Sequence, residues 1–546
     1  MNGGESLVET LLEHGVDTVF TVPGESFLTV LEAMRRRQNA VRLVTSRQEG
    51  GAAFAAEAYG KLTGRPAAVF VSRGPGATNA AIGVHTAKQD STPLLLFMGQ
   101  VRRRSRGRES FQEIDPHSTF DSLAKAVLEP ENADEVASLT ARAIEIATSG
   151  RPGPVVVALP RDVTEAEVVE AVPFTPASPP PAAPEAEAVA RAAELIAAAQ
   201  HPLILAGEAI VFEDCTAALT TFAEASGAPV MTVYRRQDVF ANDHPAYAGH
   251  LEINRVAYQR EALEAADLII AAGSRLDGIT VEDYTLFRDD QALLHLYPDA
   301  EVLSRYESAL AIEAPVGTAL AALVASLPAP PAGRLAWRDT LHRAYLAHSD
   351  PGASPTRGRV DLARVVAEVA RQVPADAVIL TDGGSFARWV HRYYRFTRPH
   401  TQAGPISGAM GYGVPGAIGA RLARPDQPAV VFVGDGGFMM TGQERVTAVE
   451  QGIAGKVIVC DNNAHGSILM GQTQRFGDDA AYGTRLASPD FAAIAQAYGL
   501  ESWRVEETDG FAPAFAEALA HEGPALVHLL TDERDIVPFG AGKEAV

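Results

Sequence analysis

"VFVGDGGF" occupies residues 431–438, and "VIVCDNNAHG" occupies residues 457–466. Each is a short apolar run that stops on small and polar residues. The first stops at Gly434, Asp435, Gly436 and Gly437, the second at Asp461, Asn462 and Asn463. Short β-branched runs bounded by such residues read as buried strands. Between them, "TGQERVTAVEQG" reads as a helix. Thr441 with Glu444 three residues later is a capping-box pattern, Val446 and Val449 share one face, and Gly452 is a stop. Strand, crossover helix and strand make a parallel α/β unit. In such sheets ligands bind beyond the carboxyl ends of the strands, where Asp435 and Asn462 would project.

The same alternation runs through the chain. "AAVFVS" leads into "RGPGATN" and an Ala-rich helix; "PLILAG", "DLIIAAGS" and "AVILTDGG" are further buried-strand candidates. Two proline-rich stretches interrupt it: residues 172–188, and residues 327–334 followed by "HSDPGASPTRGR" at 348–359. Proline stretches of this kind read as extended spacers. They divide the chain into 1–170, 188–326 and 355–546. The expected fold is α/β, with three doubly wound parallel-sheet domains.

Composition narrows the function. A chain of 546 residues is too long for one core. A net charge of −22 repels nucleic acid and anionic lipid, so neither is expected as a partner. The two cysteines, Cys215 and Cys460, form no CxxC pair, which argues against a disulfide framework or a thiolate metal site. The N-terminus does not read as a signal peptide, and no long apolar run suggests a membrane span. A cytoplasmic protein is expected.

Asp435 and Asn462 offer one charged and one neutral hard oxygen ligand. So sparse a set suits Mg²⁺ or Ca²⁺ completed by phosphates and water. Gly434, Gly436 and Gly437 would let backbone N–H groups approach a phosphate. A glycine turn whose Asp caps a helix is the commonplace reading of GDG. Asn462 at the matching strand end favours a metal diphosphate instead. No G-x-x-x-x-G-K-[ST] loop is present, and no convincing G-x-G-x-x-G followed by an acid supports a nicotinamide dehydrogenase.

With GDG and "DNNAHG" so placed, the chain resembles thiamine-diphosphate-dependent enzymes of the acetolactate synthase, pyruvate oxidase and benzoylformate decarboxylase type. "TVPGES" (21–26), "RQEGGAAFAAEAYGKLTG" (47–64), "SRGPGATN" (72–79), "FMGQV" (97–101), "FQEID" (111–115), "SGRPGPVVVALPRDV" (149–163), "DGGSF" (382–386) and "SGAMGYGVPGAIGA" (407–420) carry the likeness along nearly the whole chain. Two departures stand out: Arg73 where a small residue is usual, and Asp461 for the first Asn of the metal loop.

The resemblance implies thiamine diphosphate and Mg²⁺ as cofactors. Asp435, Asn462 and the Ala464 backbone oxygen would be the metal ligands. Glu49 would hydrogen-bond N1′ of the pyrimidine. Met410 would prop the cofactor in its bent form, and the Gly408 carbonyl would accept from the 4′-amine. Pro23, Gly24, Pro75 and Asn79 would complete the pyrimidine side. Gly384, Ser385, Phe386, Gly434, Gly436, Gly437, His465, Gly466 and Ser467 would complete the diphosphate side. Gln112 and His465 join Glu49 as catalytic candidates, and Ser26, Phe27, Arg73, Gln100, Ile468 and Leu469 would shape the substrate pocket. His85 reads as structural. The first domain has no His-His pair, and Ser91 stands near where an active-site His would be expected, which argues against a plain decarboxylase.

The implied activity is that of a lyase or carboligase acting on a 2-oxo acid. The alternative is a lyase of 2-hydroxyacyl- or oxalyl-CoA thioesters, although the Asn-Trp of the CoA-dependent branch is absent. "GSRLDGITVED" (273–283) departs from the flavin-binding members, so FAD is not expected. The resemblance also implies a homodimer or homotetramer with active sites between subunits.

Overall fold

The computed structural model describes residues 1–176, 182–353 and 356–538. Residues 177–181 of the first proline-rich stretch lie outside that range. Three six-stranded sheets follow one another along the chain. The first holds β1 (Thr18–Thr21), β2 (Arg42–Thr45), β3 (Ala67–Val71), β4 (Leu94–Gln100), β5 (Ala126–Leu128) and β6 (Pro154–Pro160). The second holds β7 (Pro202–Ala206), β8 (Val230–Thr232), β9 (Tyr247–His250), β10 (Leu268–Ala272), β11 (Ala292–Tyr297) and β12 (Leu310–Glu313). The third holds β13 (Val378–Thr381), β14 (Gln402–Ala403), β15 (Ala429–Gly434), β16 (Gly455–Asp461), β17 (Glu501–Val505) and β18 (Ala525–Leu530). Neighbouring strands pair in parallel in all three sheets.

The first sheet is ordered β2-β1-β3-β4-β6-β5, and the third repeats that order as β14-β13-β15-β16-β18-β17. The second, read from its far edge, is β9-β8-β7-β10-β11-β12, the order of a dinucleotide-binding fold. Where strand order reverses, between β1 and β3 and between β13 and β15, the loops splay apart and leave a crevice. The central strands, among them β3, β4, β15 and β16, are buried along their whole length, as continuous apolar runs require in a sheet covered on both faces.

Helix Glu49–Thr63 is buried nearly all round. It lies between the first sheet and helix Gly413–Ala423 of the third domain, which is why its sequence is alanine and glycine rather than a one-sided stripe. The crossing is close enough that a Cβ on Gly419 would fall 2.0 Å from the Ala55 carbonyl oxygen. Two charges sit on this buried helix. Lys61 Nζ lies 3.2 Å from Glu57 and 3.1 Å from Asp90, and donates to Gly404 O at 2.8 Å. Glu57 also accepts from Tyr412 at 2.7 Å and from Thr92 at 2.8 Å. A buried pair survives when its remaining donors and acceptors are met in this way.

Three sequence expectations are corrected. The helix after β15 starts at Asp435 itself, runs to Thr441, and resumes as Glu444–Glu450. Thr441 and Glu444 therefore form no capping box. The Thr441 hydroxyl donates instead to Gly411 O at 2.7 Å. The buried face of the second segment is Glu444, Arg445, Thr447 and Ala448, and Val449 faces outward. The second proline-rich stretch is extended over less of its length than expected, because Ala332 already opens the 17-residue helix Ala332–His348. The helix is anchored by buried Arg334, whose guanidinium donates to Ser226 O at 2.8 Å and Ile196 O at 2.9 Å.

Candidate active site

The crevice at the reversal of the third sheet opens into a cavity of about 470 Å³. Its lining includes Gly383–Phe386 after β13, Gly434–Gly437 after β15, and Asn462 and Ala464–Ile468 after β16. Gly408, Met410, Met440, Thr531, Asp535 and Ile536 close it. Two helices, Asp435–Thr441 and Gly466–Phe476, begin at this wall, so their unpaired N–H groups and positive dipole ends converge on it.

Asp435 is 3 % exposed. Its Oδ1 accepts from Gly436 N at 2.8 Å, and its Oδ2 accepts from Ala464 N at 3.1 Å and Ser488 Oγ at 3.2 Å. Burial pushes its pKa up, and neighbouring Asp461 adds to the shift. Among the described residues the cavity lining contains no lysine or arginine. A diphosphate placed here would meet backbone N–H groups but no side-chain cation. The Asp435 carboxylate, the Asn462 amide oxygen and the Ala464 carbonyl are all hard oxygen donors, so this donor set fits Mg²⁺.

Asp461 points elsewhere. It accepts from Asn463 N at 3.0 Å and lies 3.0 Å from His528 Nε2. Burial raises its pKa, but hydrogen bonds from His528 and Ser488 outweigh that and hold it low. An acid at this position is therefore held ionised against His528 and does not line the cavity.

The glycines of the wall are there for space. A Cβ on Gly437 would fall 2.6 Å from the Asp382 carboxylate, and one on Gly436 would fall 2.8 Å from the His465 ring. The loop carrying Gly408 and Met410 is fixed from all three domains. Asp382 accepts from Gly411 N at 3.0 Å, Tyr412 N at 3.1 Å and Gly383 N at 2.6 Å. Burial pushes its pKa up to about 6 against those three bonds. Arg235 of the central domain donates to Pro405 O and Asp382 O, both at 2.9 Å. Asp90 of the first domain accepts from Ile406 N at 3.1 Å.

The pyrimidine-side candidates lie apart from this cavity. Glu49 opens its helix and accepts from Asn79 Nδ2 at 2.9 Å. A Cβ on Gly76 would come within 3.3 Å of its carboxylate. Pro23, Pro75 and Asn79 are exposed, as are Ile82 and Phe111 nearby in sequence. Gln112 packs over the Gly74 turn, its carbonyl accepting Gly74 N at 2.9 Å. No first-domain residue lines the third-domain cavity among the described residues.

The pocket candidates divide. Ile468 lines the cavity and is exposed, whereas Leu469 is turned inward. Ser26 and Phe27 are buried within the first domain, with Phe27 against Phe70. Gln100 is tied to its own loop through Ile114 O at 2.9 Å and Val101 N at 2.8 Å. Arg73 caps the following helix and donates to Phe111 O at 3.3 Å. His85 is partly exposed on that helix. The sequence points to no site role for Asp382, Ser488 or Arg235, and it offers Glu444 only as a capping-box acid. Only Asp382 carried a signal, as the acid that ends an apolar run before Gly383 and Gly384.

Models of the thiamine pyrophosphate enzyme match in three parts: the N-terminal TPP binding domain over residues 1–119, the central domain over 189–323, and the C-terminal TPP binding domain over 382–529. The chain is 30% identical to the acetolactate synthase isozyme 2 large subunit of Escherichia coli K12, over 99% of this chain and 98% of that protein. It is 29% identical to the acetolactate synthase large subunit of Lactococcus lactis, over 98% of this chain and 93% of that one. In fold it is similar to "a putative thiamin diphosphate-dependent enzyme isolated from Mycobacterium smegmatis", with a TM-score of 0.82 and 24% identity, covering 97% of this chain and 99% of that one.

Proposed function

The chain belongs to the thiamine pyrophosphate enzyme family, and from that premise we propose that it decarboxylates a 2-oxo acid and joins the remaining acyl fragment to an acceptor carbonyl. The observation that carries this reading is the cavity with hard oxygen donors, converging helix N-termini and no side-chain cation. Acetolactate synthase large subunits among the relatives favour a carboligase over a lyase of CoA thioesters.

Thiamine diphosphate, when bound, supplies the electron sink for the carbanion chemistry. Asp435, Asn462 and the Ala464 carbonyl would hold Mg²⁺. Gly384–Phe386, Gly436, Gly437, Gly466 and Ser467 would hold the diphosphate. Met410 and the Gly408 carbonyl would fix the pyrimidine. Glu49, itself oriented by Asn79, would hold a proton at N1′. His465, in the cavity wall, would face the thiazolium.

The separation of Glu49 from the cavity supports a homodimer in which each first domain closes the partner's third domain. Exposed Ile82 and Phe111 on one side, and exposed Met439, Met440 and Ile468 on the other, are apolar surface such a contact would cover. We expect no flavin. Glu208, at the end of β7, already accepts Arg275 N at 3.2 Å and the Tyr297 hydroxyl at 3.0 Å where a dinucleotide diphosphate would approach. The expected location is the cytoplasm.

A panel of 2-oxo acids supplied with Mg²⁺ and thiamine diphosphate tests the reading. CO₂ release together with a new carbon–carbon bond in an added acceptor is expected. A chain that binds the cofactor yet releases CO₂ from no 2-oxo acid would overturn it.

A further inference from the structure

A second cluster lies between the central and third domains, away from the cavity. His250 ends β9 and Glu252 follows it, while helix Ala387–Tyr393 of the third domain brings Arg388 and His391 against them. Glu252 Oε2 accepts from Arg388 Nε at 2.8 Å. Its Oε1 is left facing two imidazoles, 3.3 Å from His250 Nε2 and 3.9 Å from His391 Nδ1. One ligand atom from each of the three residues lies within 4.8 Å of the others.

These imidazoles are buried and, Glu252 Oε1 aside, face no acceptor. His391 is 2 % exposed and neither ring nitrogen makes a hydrogen bond; His250 is 7 % exposed and its Nε2 makes none. Each such orphan costs about 1–3 kcal/mol unless something occupies the space between them. A void of about 20 Å³ opens there, lined by His250, Glu252, His391, Arg388 and His348 among others, with room for one ion or one water.

The chemistry selects between those occupants. Two imidazoles and one carboxylate are a ligand set for Zn²⁺; Glu252 Oε1 and His250 Nε2, 3.3 Å apart, already stand near a tetrahedral separation, while His391 Nδ1, at 3.9 Å from Oε1, would have to close by about half an ångström. Arg388 fixes the carboxylate by the oxygen that faces away from the imidazoles, as outer partners of metal ligands do. Its charge, and that of Arg392, which also lines the void, oppose a dication, so the binding expected is moderate.

We propose that His250, Glu252 and His391 form a zinc-binding site that ties the central domain to the third. His391 stands on the helix that directly follows Gly384–Phe386. A metal here would therefore anchor one wall of the cavity from behind. The inference does not depend on the reaction catalysed.

The test uses the full chain with its diphosphate site filled by excess Mg²⁺ and thiamine diphosphate. Wild type, His391→Gln and Glu252→Gln are dialysed to equilibrium against buffered micromolar free zinc, and protein-bound metal is read by mass spectrometry as the excess over the dialysate. A single retained zinc in wild type, lost in both variants with circular dichroism unchanged, is expected. No zinc in wild type would mean that the void holds only water, and equal zinc in the variants would mean that it binds elsewhere; either overturns the site. Should a variant fail to fold, Co²⁺ added to wild type decides: imidazole-bound tetrahedral cobalt gives intense visible bands, and their absence is equally fatal. Thiamine diphosphate titrations of the same samples report on the cofactor assignment separately.

Discussion

Glu444 Oε1 accepts the backbone N–H groups of both Arg47 and Gln48 at 2.9 Å, so an acid of the third domain holds the two residues that precede Glu49. Its other oxygen accepts the Thr447 hydroxyl at 2.8 Å. Burial raises its pKa and these bonds oppose the rise. Because Gln48 also caps the helix through Gly51 N at 3.0 Å, the start of the Glu49 helix is fixed from within and from across the domain boundary.

Glu444→Ala should cost about 1–3 kcal/mol in urea unfolding, since two N–H groups lose their acceptor. Turnover should fall as well, because Glu49 is no longer held in place. Glu444→Gln keeps an acceptor oxygen and should cost under about 1 kcal/mol. An alanine variant equal to wild type in both stability and turnover would show that the tie is idle.

Glu444 also marks where sequence reading stopped. Its spacing from Thr441 fits a capping box, yet the helix had already begun at Asp435. Apolar runs and glycine stops located the strands that carry Asp435 and Asn462, because strand burial and tight turns are local properties. Asp382, Arg235 and Asp90 were not found as anchors of the Gly408 loop, because each acts on a backbone more than 20 residues distant (Asp382 on Gly411, 29 apart; Arg235 on Pro405, 170 apart; Asp90 on Ile406, 316 apart). Ser26, Phe27 and Leu469 were read as pocket residues from their place beside motifs. Their burial was invisible without the fold.

Asp435→Ala should abolish metal-dependent binding of thiamine diphosphate, and chelator should do the same to wild type. Without the dication, the diphosphate meets backbone N–H groups and neutral hydroxyls but no lysine or arginine among the described residues. Calorimetry of both is the check, and unchanged affinity in either would remove Asp435 from the metal site.

Glu213 gives a pH dependence. It sits at the crevice between the first and central domains, accepts Gly317 N at 3.1 Å, and is pushed up to about 7 by burial from an ordinary value of 4.5. A carboxyl raised in the folded state is protonated in both states below about 4.5, where it has no effect on stability. Between about 4.5 and 7 the unfolded chain ionises first, so stability falls as pH rises and then levels off. The loss should be about 1–2 kcal/mol, reduced by solvent reaching the group. Thermal or urea unfolding from pH 4.5 to 8 should show that fall in wild type and a shallower one in Glu213→Gln; parallel curves would contradict it.

The last expectation concerns the two halves of the active site. Glu49 and Asn79 are joined by a 2.9 Å hydrogen bond on the first domain, while Asp435 and Asn462 line a cavity to which no described first-domain residue contributes. If one subunit's Glu49 serves its partner's cavity, a two-fold dimer holds two equivalent sites, each built from both chains. Glu49→Gln should then bind thiamine diphosphate but lose turnover by orders of magnitude, because the N1′ hydrogen bond matters for proton transfer rather than for affinity. Asp435→Ala should fail at binding. Mixed under conditions of subunit exchange, the two inactive proteins give heterodimers with one doubly damaged site and one intact site. Activity should reappear, approaching one quarter of wild type when chains assort at random, since half of the dimers are then mixed and each has one of its two sites intact. Exchange demonstrated by mass spectrometry without any return of activity would mean that each chain completes its own site.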